Sequence, residues 1–304
     1  MAQIEFRAMN CQMLAVVGAP HGDALLAQVP QWFEQWEQSF SRFRPTSELS
    51  QLNAQSGNWA HVSAELFALI EAARWGAAYS EGLVSPLILN ALEQAGYDRS
   101  FEEIRPNSGQ SAYRTEPQNM LADWRSVKLD AAHRRVCLPA GARLDFGGIA
   151  KGWSAEQAAQ RLSQFGPALV DAGGDVAMVG ERNEPWPIAV ASPFVPDEDL
   201  DLLLIEQGSV ATSGRDYRRW QHNGVWQHHI LDPRSGRPAC TDVLSATVVA
   251  PKMLLAECAA KVLLILGSRA GIQWIEAQAN LAALVVLENG EILRSQRMKA
   301  YLWQ

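Results

Sequence analysis

The sequence predicts an α+β protein of mixed, largely antiparallel sheets with packed helices. Three observations carry this prediction. Stretches such as 63–80 and 254–266 repeat apolar residues at helical spacing. Short β-branched runs end in polar turns, as in 281–294 around Glu288-Asn289-Gly290. Strands and helices also mix without the steady βα alternation of a parallel sheet. With 304 residues, 48% hydrophobic and 19% charged, the chain has the makings of a sizeable core and is not a disordered polypeptide. We expect one domain over residues 1–304, folded as two intimate lobes.

Residues 4–17 read as a strand that breaks near Met9-Asn10. Residues 23–40 read as one helix, with Leu25, Leu26, Val29, Trp32, Phe33 and Trp36 on one face and Pro30 as a potential kink. The polar stretch SRFRPTSELSQLN, 41–53, turns at Pro45 and starts a short helix at Ser47-Glu48. Helices follow over 63–80 and 88–95, the second stopped by Gly96. Residues 103–123 are polar, carry Pro106 and Pro117, and read as a long loop or insertion. A strand pair at 127–129 and 135–138 turns at Asp130–His133. Residues 168–180 read as a strand interrupted by Gly173-Gly174, followed by strands at 186–191 and 202–206. Residues 209–216 read as a polar turn. Asp232-Pro233 and Ser235-Gly236 mark a loop in HHILDPRSGRPA. A strand at 244–250, helices at 254–266 and 272–278, and the terminal hairpin complete the chain.

Composition removes several function classes. The net charge is −7, and no basic cluster longer than a pair occurs, which disfavours nucleic acid as a partner. No apolar run reaches the ~18 residues of a membrane span. Cys11, Cys137, Cys240 and Cys258 form no CxxC pair and fit buried thiols in a reducing compartment. The first residues carry neither a signal-peptide pattern nor a lipid-anchor cysteine, so we expect a cytoplasmic location. A homo-oligomer is compatible with all of this.

The stretch LDFGGIAKGWSAEQAAQRL, 144–162, concentrates chemistry. Asp145 precedes Gly147-Gly148, then Lys151, and a helical pattern of Ala155, Ala158, Ala159 and Leu162 begins. Glycines there allow close approach of a ligand, and the free N–H groups of a first helical turn favour an anion. Lys151 adds a full positive charge. An ordinary strand–turn–helix junction explains the stretch as well. Elsewhere His229, taken alone, reads as a turn histidine bonded to Asp232, Glu257 as a solvated helix carboxylate, and Phe43 as a loop residue plugged into the core.

Taken in order, SRFRPTSELSQLN, LDFGGIAKGWSAEQAAQRL, LVDAGGDVAMVG, VATSG with HHILDPRSGRP, and SATVVAPKMLLAECAAKVLLILG resemble the signature blocks of the ApbE family, the FAD:protein FMN transferases. The resemblance spans about residues 9–267. It implies FAD as substrate, transfer of FMN to a serine or threonine hydroxyl of a target protein, release of AMP, and a magnesium ion. It also implies the site. Met9, Phe43, Leu83, Val84, Ser85, Asp145, Lys151 and Ile230 match positions along the bound FAD. His229 matches the base that activates the acceptor hydroxyl. Gly148, Glu257 and Lys261 match the metal positions. The match departs at three places. Ser85 stands where the family has an aspartate, and VATSGRDY has one residue more than TSG-x-Y. Lys261 stands where the family has a threonine, and an ammonium offers no lone pair to a metal. Lys261 is expected to pair with the Glu257 carboxylate one helical turn away. The alternative these departures leave open is a relative that only holds FAD, or hydrolyses it to FMN and AMP.

Overall fold

The structure is a computed structural model and describes residues 1–104 and 121–303. Most of the expected insertion at 103–123 therefore lies outside the described residues. The chain divides into two compact units, one of residues 1–37, 147–214 and 241–304, the other of 38–146 and 215–240.

In chain order the strands and helices begin with β1 (Ala2–Ala8), β2 (Cys11–Val17), α1 (Gly22–Leu26), α2 (Val29–Phe40) and α3 (Glu48–Ala54). Next come β3 (Trp59–His61), α4 (Ala64–Tyr79), α5 (Leu89–Gln94), β4 (Lys128–Asp130) and β5 (Arg135–Cys137). The middle of the chain forms α6 (Ala150–Ser163), β6 (Ala168–Ala172), β7 (Asp175–Val179), β8 (Trp186–Ala191), β9 (Asp199–Ile205) and β10 (Gly208–Gly214). The last third forms β11 (Arg219–His222), β12 (Val225–His228), β13 (Leu231–Asp232), β14 (Arg237–Pro238), β15 (Val243–Ala250), α7 (Met253–Leu266), α8 (Ser268–Glu276), β16 (Ala282–Leu287) and β17 (Ile292–Arg294).

The first unit is built on an eight-stranded sheet ordered β1-β2-β6-β7-β10-β15-β16-β17. Every neighbouring pair in it is antiparallel. One row of side chains, Val16, Leu169, Met178, Val176, Val210, Val249 and Leu284, packs against Trp186, Ile188, Leu203 and Ile205 of the β8–β9 hairpin. α6 packs on β6 and β7, and α7 on β10 and β15. Helices therefore bury one half of the alternating residues and the hairpin buries the other, so β16 reads AALVVL with every residue buried.

Three expectations change in this unit. The predicted helix at 23–40 is two helices, because Pro30 sits in the first turn of α2, where its missing N–H costs nothing. Gly173-Gly174 do not interrupt one strand; they are the two-residue turn between β6 and β7, with φ of 69° and 95°. Residues 209–216 are no polar turn. Their small residues form most of β10, an interior strand whose polar backbone is satisfied on both sides by β7 and β15. Thr212 and Thr247 share a hydroxyl–hydroxyl bond of 2.9 Å across that ladder.

The second unit holds α3, α4, α5, the sheet β3-β5-β4 and the small hairpins β11–β12 and β13–β14. Ser47 caps α3 by accepting from Ser50 N at 3.0 Å, and Ser63 caps α4 by accepting from Leu66 N at 3.1 Å. Glu48 accepts from the hydroxyls of both Ser39 and Ser63, at 2.8 and 2.6 Å. The sequence shows neither β3 nor the β11–β12 hairpin clearly. Both are too short for a period to appear. Among the described residues, no helix is long and apolar enough to cross a membrane.

Candidate functional site

Each unit carries its own group of the expected residues. In the first unit, β1 and β2 meet at Met9-Asn10, which adopt φ of 49° and 58°. Positive φ at both central residues gives the hairpin turn its correct twist. Met9 N donates to Glu37 Oε2 at 2.9 Å. Cys11 follows the turn and lies against Gly173, where a Cβ would meet its Sγ at 2.9 Å.

The glycine stretch opens α6 at Ala150, before Gly152, after which the sequence pattern begins the helix. Gly152 is already helical, and Ile149 provides no side-chain cap. Gly152 is required by packing. A Cβ there would come within 2.5 Å of Met253 Cγ and 2.7 Å of Glu257 Cδ. This contact brings the first turn of α6 onto α7, and Glu156 of α6 accepts from Met253 N at 3.2 Å. Lys151 reaches Asp175 at 3.5 Å. Asp171 accepts from Gly174 N at 2.8 Å. Burial pushes the Asp171 carboxyl above its usual range, reinforced by Asp175 and opposed by Lys151.

Glu257 is not a solvated carboxylate. It is 2% exposed, and its Oε2 has no hydrogen-bond partner among the described residues. Burial first, then Asp175, pushes its carboxyl well above the usual range, against the pull of Lys261 and Lys151. The expected ion pair with Lys261 is not formed. The Glu257 carboxyl turns toward Gly152, and Lys261 Nζ instead donates to the Glu257 main-chain carbonyl at 3.2 Å. The Lys261 stem lies on Gly148, where a Cβ would meet Cε at 2.8 Å.

The donors that the resemblance implies for magnesium are the Gly148 carbonyl, one buried carboxylate, and an ammonium whose stem lies on Gly148. Magnesium demands near-octahedral oxygen ligands, and a protonated amine supplies no lone pair. No group of three His, Cys, Asp or Glu side chains able to hold a metal occurs among the described residues. The residues present do not fit the ion.

In the second unit three sequence blocks meet. Asp145 pairs with Arg42, Nε to Oδ2 2.8 Å, with both side chains almost fully buried. The Arg42 guanidinium lies over the Phe43 ring at 4.1 Å and the Tyr97 ring at 4.5 Å. Phe43 is 37% exposed, so it does not plug the core; it rests on Tyr97 at 5.9 Å. Asn53 exchanges two bonds with the main chain of Leu144, at 2.9 and 2.7 Å, and so fixes the residue before Asp145. Asp145 N donates to Pro86 O at 2.9 Å, which ties in the Leu83–Ser85 loop. Ser85 is buried, and its hydroxyl accepts from Leu87 N at 3.2 Å. Val84 N donates to Ser80 Oγ at 2.9 Å.

The β11–β12 hairpin reaches the same aromatic group through Trp220, 5.2 Å from Tyr97 and bonded by Nε1 to Ala95 O at 2.7 Å. His229 follows β12 and is half-buried; Ile230 is buried, and Leu231 joins the small core with Tyr97 and Trp220. The Asp232 carboxylate is bound by Arg234 at 2.7 Å. The neighbouring His228 lies 3.0 Å from Ala239 O, which makes its Nε2–H the donor. Burial pushes the His228 imidazole down to about 4.

Arg42, Asn53, Tyr97 and Asp175 are the participants that sequence reasoning missed. Arg42, Asn53 and Asp175 lie inside the recognised blocks, so block membership was the available signal. Tyr97 lies outside every block.

Comparison with known proteins completes the picture. A sequence model of the ApbE family matches residues 4–285. A protein of Treponema pallidum (strain Nichols) named FAD:protein FMN transferase is 32% identical over 261 residues, covering 80% of this chain and 72% of that protein. A Klebsiella pneumoniae (strain 342) protein of the same name is 28% identical over 289 residues, covering 92% and 88%. The ApbE protein of Thermotoga maritima has a crystal structure that matches with a TM-score of 0.86 and 27% identity, over 100% of this chain and 99% of that one. The Pseudomonas stutzeri flavinyl transferase ApbE, apo form, shares the fold at a TM-score of 0.82 and 22% identity, over 98% and 96%. Fold, blocks and relatives agree: this chain belongs to the ApbE family.

Proposed function

We propose that the chain transfers FMN from FAD to a serine or threonine hydroxyl of a target protein and releases AMP, acting as one domain over residues 1–304. The observation that carries this is the family match over residues 4–285, with relatives along most of the chain named for that reaction. That naming favours transfer over mere holding or hydrolysis of FAD. The acceptor oxygen bonds to the FMN phosphorus, the bond to the bridging oxygen breaks, and AMP leaves with that oxygen. The hydroxyl proton needs a base, and His229 is the group we assign, because an imidazole titrates near neutrality.

The remaining roles are assigned from chemistry. Phe43, backed by Tyr97 and Arg42, offers an exposed ring face to the flavin. By resemblance to the family, Met9, the Leu83–Ser85 loop and Ile230 are assigned to the flavin. Asp145, held by Arg42, is a fixed acceptor, and Lys151 meets phosphate charge at the opening of α6. The four cysteines are free thiols, which fits a reducing compartment, and we place the reaction in the cytoplasm.

The test is AMP release from FAD in the presence of a hydroxyl-bearing acceptor. The wild type should release AMP. His229→Ala should lose ~10²–10⁴-fold in rate with nearly unchanged FAD affinity, because a base acts on the transition state. Unchanged turnover would make His229 structural.

A further inference from the structure

We propose that the Lys261 ammonium takes the place of the divalent cation in this chain, so that FMN transfer runs without magnesium. This rests on the transferase reading above and concerns how that reaction handles charge. In the step, the acceptor oxygen bonds to the FMN phosphorus, AMP departs with the bridging oxygen, and the hydroxyl proton passes to His229. The pyrophosphate brings negative charge into the site and needs a cation there in any such step.

Three observations place the cation in the protein. The Lys261 stem lies against Gly148, where a Cβ would meet its Cε at 2.8 Å, and Gly148 is a residue whose carbonyl the family resemblance assigns to the ion. Its Nζ is anchored at 3.2 Å to the Glu257 carbonyl, which spends one of three N–H donors and fixes the charge on α7. The buried Glu257 carboxyl turns toward Gly152 and does not pair with the ammonium, and Asp175 is paired with Lys151. A divalent ion added there meets a like charge of fixed position, with twice the repulsion a second ammonium would feel. It also finds too few oxygens to replace its water shell. An ammonium is a compact point charge, and the two N–H donors left on Nζ suit a phosphate oxygen.

The experiment has two arms on the full chain. Calorimetric titration of Mg²⁺, with and without FAD, reads the ion directly. AMP release in EDTA and in Mg²⁺ reads the reaction. The wild type should bind no Mg²⁺ below about 1 mM, and its AMP release should change less than about twofold between EDTA and Mg²⁺. Lys261→Thr should gain Mg²⁺ binding, lose at least ~10-fold of its AMP release in EDTA, and regain it with Mg²⁺. Lys261→Met keeps the stem and removes the charge. With its melting temperature confirming the fold, it should lose at least ~10-fold without gaining the ion. Tight Mg²⁺ binding by the wild type, or AMP release abolished by EDTA, would overturn the proposal. Absence of AMP under both conditions would sink the transferase reading, while the titration arm still decides whether Lys261 excludes the ion.

Discussion

The two units bury charge by opposite means. In the first, Lys151, Asp175, Glu257 and Lys261 project from regular elements, α6, β7 and α7; Lys151 pairs with Asp175, and Lys261 bonds to the Glu257 main chain. In the second, Arg42 and Asp145 come from connecting segments and form a single buried pair, with aromatic faces over the guanidinium. A group of several charges distributes the cost of losing one member. A single pair concentrates that cost on whichever charge remains. The second unit should therefore be the more brittle to substitution and the first the more tolerant.

The largest effect expected from this contrast is that of Arg42→Ala. It strands a buried carboxylate and removes the support under Phe43, so it should cost about 3–5 kcal/mol in urea unfolding. A loss below about 1 kcal/mol, the size of a surface pair, would erase the contrast.

Next comes a pH effect of the second unit. Burial holds the His228 imidazole at about 4 when folded, against about 6.5 when unfolded. Between these values the unfolded chain binds more protons, so stability rises with pH there. The His228 contribution is fully present above about 6.5 and is lost as pH falls toward 4, by the order of 1–3 kcal/mol. His228→Gln keeps an N–H donor without a titrating proton and should flatten that part of the stability profile. An unchanged profile would place the effect elsewhere.

The smallest effect belongs to the first unit. Gly152→Ala gains about 1 kcal/mol of helix propensity, but its Cβ enters the packed Met253 and Glu257 side chains, an overpacking of about 1–3 kcal/mol. The clash should win by about 1 kcal/mol, since Glu257 is buried and cannot swing out. A stabilised variant would show that α6 and α7 are looser than the packing indicates.

Legibility in the sequence followed the same division. The first unit's sheet and helices have long, strongly periodic segments, so β15, α7 and the terminal hairpin were plain. Its β10 reads as a turn because SVATSG is small and polar, and only its interior place in the sheet makes it a strand. The glycine block announced the opening of α6, but the turn of Glu257 away from Lys261 depends on Gly152, a contact 105 residues of chain cannot reveal. In the second unit, Asp145 stands out beside the glycine turn, but its role, like that of Phe43, follows only from resemblance to a family. Arg42 joins them by stacking and pairing across residues 42–145, and Tyr97 enters through an isolated aromatic with no pattern around it.

The most direct test of the whole account counts covalent flavin against AMP. The protein is incubated with FAD and a threonine-bearing acceptor, the acceptor is precipitated in acid, and its bound flavin is compared with the AMP released. Transfer predicts one bound flavin for each AMP, with none on an acceptor whose threonine is replaced by alanine. AMP accompanied only by free FMN would contradict transfer and make the chain a hydrolase of FAD.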